Sequence, residues 1–158
     1  MRRLLASTAA AVAGTAATVL LFTGAPVAAA DDLPPVAVED FVYPDADRIY
    51  AEHGIRLTTG DGHILLAACG PAGLIEVWAG GHDDPFCFSV TGSAGRLAME
   101  LPNVYGIKGN AYKIVADMTV EGTETSFDVT PNTWTPVGAT ADPPEGREHM
   151  LVELNATK

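Results

Sequence analysis

The sequence predicts an all-β fold, an antiparallel β-sandwich with one short N-terminal helix. From about residue 55 onward, apolar and polar residues alternate along short segments, which is the period of a half-buried strand. Clusters rich in Gly, Asp, Asn and Pro separate these segments at intervals of about eight to twelve residues. Many short strands with regular turns are typical of a sandwich, immunoglobulin-like or related, and a partly closed β-barrel is the second architecture that fits.

Residues 1–30 have the order of a secretory signal peptide. Arg2 and Arg3 give a positive start, an Ala-, Val- and Leu-rich stretch follows at 4–22, and Ala28 to Ala30 supply a small-residue cleavage pattern. A retained membrane anchor needs about 20 apolar residues, but this stretch includes Ser, Thr and Gly and leads into the cleavage pattern. We therefore expect cleavage before Asp31 and a secreted, extracellular protein.

The charge of the chain limits its partners. The whole sequence carries a formal net charge of −11, and loss of Arg2 and Arg3 with the signal peptide makes the mature part −13. Such a surface repels phosphate backbones and anionic lipids. We therefore expect no nucleic-acid partner and, after signal cleavage, no membrane partner.

Cys69 and Cys87 are the two cysteines of the sequence. In an oxidising compartment an isolated pair indicates one disulfide, whereas two free thiols or part of a metal site are the competing interpretations. Neither cysteine has a close Cys-x-x-Cys or a histidine at ligand spacing. We predict a structural Cys69–Cys87 bridge.

The N-terminal part of the mature chain has little periodicity. Residues 31–44 contain two adjacent prolines and predict an extended lead-in, followed by a single sandwich domain over 45–158. Asp45 is placed to cap a short helix and Gly54 to end it. The apolar face of this predicted helix consists of Ala46, Ile49, Tyr50 and His53, which have helical spacing.

Strands are predicted at 55–59, 63–68, 74–79, 85–91, 96–101, 112–120, 124–129, 133–137 and 149–155. Glu121-Gly122 predicts a tight hairpin, and Pro136 predicts an edge strand. The residues expected to point inward on the last long strands are Tyr112, Ile114, Ala116, Met118 and Val120, then Met150, Val152 and Leu154. Residues 101–110 are predicted to be a loop.

Five segments together resemble a known group of proteins: 60–66 (GDGHILL), 73–78 (GLIEVW), 86–88 (FCF), 104–110 (VYGIKGN) and 132–138 (NTWTPVG). With them the chain resembles small secreted proteins of filamentous actinobacteria such as Streptomyces. The resemblance covers most of the mature chain. It implies a bacterial source and an extracellular compartment, and it transfers no catalytic residue.

Residue types that support catalysis are present without a specific motif. Three serines, Ser89, Ser93 and Ser126, follow the signal region, and none lies in a Gly-x-Ser-x-Gly turn. Glu76 and Glu100 would suit glycoside hydrolysis if they faced each other, but solvated strand positions explain both. We assign no catalytic residue and no cofactor.

A metal site is a further candidate, because Asp83 and Asp84 lie together in a glycine-rich loop. Adjacent carboxylates suit a weak calcium site, although the ligand spacing of a calcium-binding loop is missing. Solvated loop acids are the simpler interpretation.

The candidate binding residues are Trp78, Trp134, Tyr105, Lys108 and Asn110. Aromatic side chains on a sandwich can form a stacking surface for sugars or peptides, and exposed loops on rigid sheets often carry recognition. We therefore expect a non-catalytic secreted domain that binds an extracellular protein or glycan. The alternatives are a small extracellular hydrolase and a secreted protease inhibitor with 101–110 as its reactive loop.

Overall fold

This computed structural model describes residues 41–158. The predicted signal peptide at 1–30 and residues 31–40 of the predicted lead-in lie outside the described residues. The first elements are β1 (Phe41–Val42), α1 (Ala46–His53), β2 (Arg56–Gly60), β3 (Ile64–Ala67), β4 (Ile75–Ala79) and β5 (Phe86–Val90). They are followed by β6 (Ala94–Leu101), β7 (Val104–Lys108), β8 (Lys113–Val120), β9 (Thr123–Val129), β10 (Trp134–Pro136) and β11 (Met150–Thr157), with a 3-10 turn at Gly138–Ala141.

The strands form two antiparallel sheets, which confirms the predicted sandwich; among the described residues the sheets do not close into a barrel. The six-stranded sheet has the order β1-β2-β6-β11-β8-β9, and the five-stranded sheet has the order β10-β7-β4-β5-β3. The apolar faces of both sheets form one buried core, because alternate residues of each strand point to the same side. Phe88 and Ile107 of one sheet and Leu97 and Met118 of the other are fully buried within it.

The short helix has its predicted bounds but not its predicted cap. Asp45 takes a left-handed backbone conformation, and its side chain makes no capping hydrogen bond and pairs with Arg48 at 3.3 Å. Gly54 ends the helix as expected, with its N–H donating to the Tyr50 carbonyl. Of the predicted apolar face, Ile49 is buried and Tyr50 is exposed, with the guanidinium of Arg56 over its ring. Aliphatic packing therefore anchors the helix mainly through Ile49.

The β8–β9 hairpin forms as predicted. Glu121 and Gly122 have φ values of 50° and 78°, the conformation of a two-residue turn that matches the twist of the strands. All five residues expected to point inward from Tyr112 to Val120 are buried.

The prediction of a loop at 101–110 is wrong. The chain leaves the six-stranded sheet at Leu101 and returns as β7 in the five-stranded sheet, between β10 and β4. The register shifts there, because Trp78 pairs with Gly106 but Ala79 pairs with Val104. Tyr105 is therefore an extra bulged residue, and the alternation that would have revealed a strand is interrupted.

A second bulge lies in β11, and it makes part of the prediction for this strand wrong. The register shifts between Leu151 and Glu153, so that Leu151 and Leu154 are fully buried. Met150 and Val152, which were predicted to point inward, are only partly buried.

The predicted disulfide is present between Cys69, directly after β3, and Cys87 on β5, with the two Cα atoms 5.3 Å apart. No helix within the described residues is long and apolar enough to cross a membrane.

We expect Cys69→Ala/Cys87→Ala to lower the free energy of unfolding by about 3 kcal/mol, because the bridge restricts a loop of 18 sequence steps in the unfolded chain. Urea unfolding of the variant and of the unreduced protein measures the difference. A loss well under about 1 kcal/mol would show that the bridge does little for the fold.

A second prediction concerns the loop before β11. Arg147 donates to both carboxylate oxygens of Asp142, at 2.8 and 2.9 Å, and these hydrogen bonds lower the pKa of Asp142 from about 3.8 to about 2. A lowered pKa means that the pair stabilises the fold above about pH 4 and that this contribution disappears as the pH falls toward 2. Asp142→Asn should therefore be less stable than the wild type at pH 7, with a difference that shrinks between pH 4 and 2. Urea unfolding across this range measures it, and Glu145→Gln in the same loop, whose side chain is exposed, should show no such trend.

Candidate functional site

The outer face of the five-stranded sheet brings together most of the predicted binding residues. Trp134 of β10 pairs with Lys108 of β7, which pairs with Glu76 of β4. In the next row Gly106 of β7 pairs with Trp78 of β4. Neighbouring strands lie about 5 Å apart, so these five residues form one continuous patch although they are as far apart in the sequence as 76 and 134. We call this patch, made by Trp134, Lys108, Glu76, Gly106 and Trp78, the aromatic face.

Burial shows which side of the sheet this patch occupies. Val77 and Ile107, which alternate with the patch residues on β4 and β7, are fully buried in the core. Their neighbours in the sequence therefore point away from the core. Trp134 is 44% exposed, and Trp78 is partly buried.

Gly106 positions the indole of Trp134. A Cβ atom built at Gly106 would lie only 2.5 Å from Cε2 and 2.8 Å from Nε1 of Trp134, so the ring occupies the space directly above the glycine. Any other residue at 106 would displace the ring. The missing side chain thus lets Trp134 lie across the sheet surface toward the strand that carries Trp78.

Lys108 and Glu76 form an ion pair on the aromatic face, with 2.7 Å between Nζ and Oε1. Both side chains are partly exposed, so the pair contributes less than about 1 kcal/mol to stability. Its chemical effect is to hold a donor and an acceptor next to the exposed indole while cancelling their charges.

Tyr105 joins the outer side of the sheet through the bulge in β7. Val104 and Ile107 both point into the core, which leaves Tyr105 and Gly106 together on the outer side. The Tyr105 side chain is partly buried. Its carbonyl accepts the N–H of Val137 at 3.1 Å, which ties down the chain that follows Trp134.

Asn110 is not on the aromatic face, although the sequence placed it among the contact residues. Its side chain is only 3% exposed. Nδ2 donates to the Gly73 carbonyl at 3.1 Å, and Oδ1 accepts the Tyr112 N–H at 3.0 Å. Both ends of the amide are engaged within the protein, so its role is to join the turn before β4 to the start of β8.

Trp78 has one unusual property. Its Nε1 is buried and has no hydrogen-bond partner among the described residues. An unpaired buried donor costs about 1–3 kcal/mol, so Trp78 is held by the packing of its ring and not by its polar atom.

A separate cleft of about 650 Å³ lies between α1 and the disulfide, and no pattern in the sequence indicates it. Ile49, Leu66 and Phe86 are among its apolar lining residues, and Arg48, His53 and Asp84 are among its polar ones. Arg48 is already paired with Asp45 and Glu52 at the helix surface. None of the serines within 41–158 lines this cleft.

Four of the residues considered for catalysis are engaged in other contacts. The Ser89 hydroxyl bonds the Leu65 carbonyl and the Ser126 hydroxyl bonds Asp117, so neither is directed to a histidine. Glu76 is on the five-stranded sheet and Glu100 is on the six-stranded sheet, each paired with a base of a neighbouring strand. Exposed glutamates on the outer faces of two stacked sheets cannot flank one substrate bond.

Asp83 and Asp84 are exposed in the loop after β4. Within residues 41–158, no group of three or more His, Cys, Asp or Glu side chains is placed to hold a metal ion. The two carboxylates line a smaller pocket of about 400 Å³ together with His53 and His82.

A comparison of the chain with models of protein families finds no match, and a comparison with curated proteins finds none either. Function is therefore inferred from the residues of this chain alone.

Asn110→Ala should lower the free energy of unfolding by about 2 kcal/mol, because the Gly73 carbonyl and the Tyr112 N–H lose their buried partner. Lys108→Ala, two residues earlier and exposed, should change stability by no more than about 0.5 kcal/mol. Urea unfolding of both variants measures the contrast. Equal effects would contradict the structural role of Asn110.

Proposed function

We propose that the chain is a secreted, non-catalytic domain that binds an extracellular glycan on its aromatic face. The observation that carries the proposal is the exposed indole of Trp134, which lies over Gly106 and beside the strand that carries Trp78. The signal-peptide pattern of residues 1–30 and the Cys69–Cys87 disulfide support an extracellular location.

The chemistry of the aromatic face suits a sugar chain. The C–H face of a pyranose ring packs on an indole, and an aromatic ring already fixed in place loses little entropy on binding. The Lys108–Glu76 pair adds a donor and an acceptor for sugar hydroxyl groups in the same row of the sheet as Trp134. Three adjacent strands give a surface about 10 Å across, which is the length of about two sugar units.

Charge narrows the class of glycan. The mature chain carries a net charge of −13, so an anionic polysaccharide would meet long-range repulsion. On the aromatic face itself Lys108 and Glu76 neutralise each other. A neutral glycan is therefore the expected ligand.

The hypothesis of a protease inhibitor with 101–110 as its reactive loop is not supported, because residues 104–108 form β7 inside the five-stranded sheet. The hydrolase alternative has less support, because the Ser89 and Ser126 hydroxyls bond the Leu65 carbonyl and Asp117 and not a histidine. An extracellular protein remains the other partner class, and the same experiment separates it from a glycan.

The test uses the protein recovered from culture medium and a panel of neutral glycans: β-glucan, xylan, mannan and chitin oligosaccharides. Binding is followed by tryptophan fluorescence and by isothermal titration. We expect Trp134→Ala to weaken binding by at least about tenfold, as is typical of a central aromatic contact. Gly106→Ala should weaken it too, because the added methyl displaces the indole.

Tyr50→Ala is the matched control, since Tyr50 is 47% exposed on the helix and Trp134 is 44% exposed on the sheet. It should bind like the wild type. If no neutral glycan binds at millimolar concentration, or if Trp134→Ala and Tyr50→Ala behave alike, the proposal is wrong. Capture of one defined medium protein in a Trp134-dependent manner would assign the face to a protein instead.

A further inference from the structure

The four edges of the two sheets differ greatly in length. In the described residues, three of the edge strands are short, namely β1 with two residues, β3 with four and β10 with three. The fourth, β9, has seven residues. An exposed edge offers unpaired backbone N–H and C=O groups to any extended chain, so a long edge is the one most open to an added strand.

β9 lacks the features that usually block such pairing. It contains no Pro, Lys or Arg, and its sequence, TETSFDV, is rich in residues that favour strands. Its pairing with β8 is continuous from Val120↔Thr123 to Ile114↔Val129, with no bulge. Its first four residues are all exposed.

The turn of the hairpin determines which backbone groups face the open edge. In a hairpin with a two-residue turn, the flanking residues Val120 and Thr123 form a hydrogen-bonded pair, and hydrogen-bonded and non-hydrogen-bonded pairs then alternate. The N–H and C=O groups of Glu124, Ser126 and Asp128 therefore point away from β8. Within the described residues, no backbone hydrogen bond outside the sheet ladders involves these three residues.

Both charged residues of β9 are acidic. Glu124 and Asp128 are exposed, and Asp117 of β8 lies opposite Ser126 on the same outer face. A second copy of the chain that paired through β9 about a two-fold axis at Ser126 would place Glu124 opposite Asp128 twice. Like charges directly opposite each other are destabilising, so a partner with basic side chains fits this edge better than a second copy does.

We propose that β9 binds an extended basic segment of another protein by strand addition, with Lys or Arg residues four positions apart opposite Glu124 and Asp128. This surface belongs to the six-stranded sheet, and the aromatic face belongs to the five-stranded sheet. The proposal therefore does not depend on glycan binding. Main-chain hydrogen bonds supply the affinity and the two carboxylates supply the selectivity.

The first experiment measures binding of a short acetylated Thr/Val peptide with lysines four positions apart, by fluorescence anisotropy with the secreted protein. The same peptide with glutamates in place of the lysines should bind at least about tenfold more weakly. Glu124→Lys/Asp128→Lys should weaken binding of the lysine peptide by a similar factor. Asp83→Lys/Asp84→Lys makes the same change of net charge in the loop after β4 of the other sheet and should have little effect.

A second experiment tests the backbone pairing, which charge variants alone do not. N-methylation of alternate amides of the peptide in one register should abolish binding, while methylation of the other amides should leave it intact, because only one set faces β9. Equal binding of the two methylated peptides would overturn strand addition. So would undetectable binding of the lysine peptide at millimolar concentration, or a protein dimer in sedimentation that Glu124→Pro disrupts.

Discussion

Burial of one face of each sheet against the other is the interaction on which the rest of the structure depends. Each strand must place alternate residues in the core, so its remaining residues are forced to the outside. Val77 and Ile107 are fully buried, and this is what directs Trp78, Lys108 and Glu76 outward on neighbouring strands. The aromatic face is therefore a consequence of core packing, and its geometry is as rigid as the core beneath it.

The outer faces of the two sheets differ in their chemistry. On the six-stranded sheet, Asn155 donates to both Asp117 and Glu153, and Glu153 pairs with Arg96. Ser126 completes this network through Asp117. On the five-stranded sheet the aromatic face combines Trp134 and Trp78 with the Lys108–Glu76 ion pair. A surface rich in mutually satisfied polar groups has little need of a ligand, whereas an exposed indole gains from being covered.

Regular alternation made much of the fold predictable, and bulges account for the clearest failures. Tyr112 to Val120 alternate without interruption, and all of the residues expected to point inward are buried. In β7 the extra residue Tyr105 breaks the alternation, so the sequence pattern of this segment predicts a loop. A bulge adds one residue without any fixed sequence signature, and only the partner strand shows where it lies.

The candidate site was partly predictable for a related reason. Aromatic residues of a β-domain are candidates for a stacking surface, and this selects Trp78, Tyr105 and Trp134. Their assembly depends on strand order, which brings together residues that are far apart in the sequence. The placement of Asn110 could not be predicted, because the sequence of a turn does not show whether an amide contacts solvent or two backbone groups. The role of Gly106 was invisible without the position of the Trp134 ring.

The position of the two proposed surfaces has a mechanical consequence. The aromatic face and the β9 edge belong to different sheets, and the two sheets are joined by a core of fully buried side chains. Because a packed core resists continuous deformation, we expect a ligand on one sheet to leave the backbone of the other largely in place. Coupling between two sites requires an element whose equilibrium both ligands shift, and the described core shows a single packing of the two sheets. On the two proposals together, we expect the domain to hold a glycan and a protein at once, as a connector and not as a switch that trades one for the other.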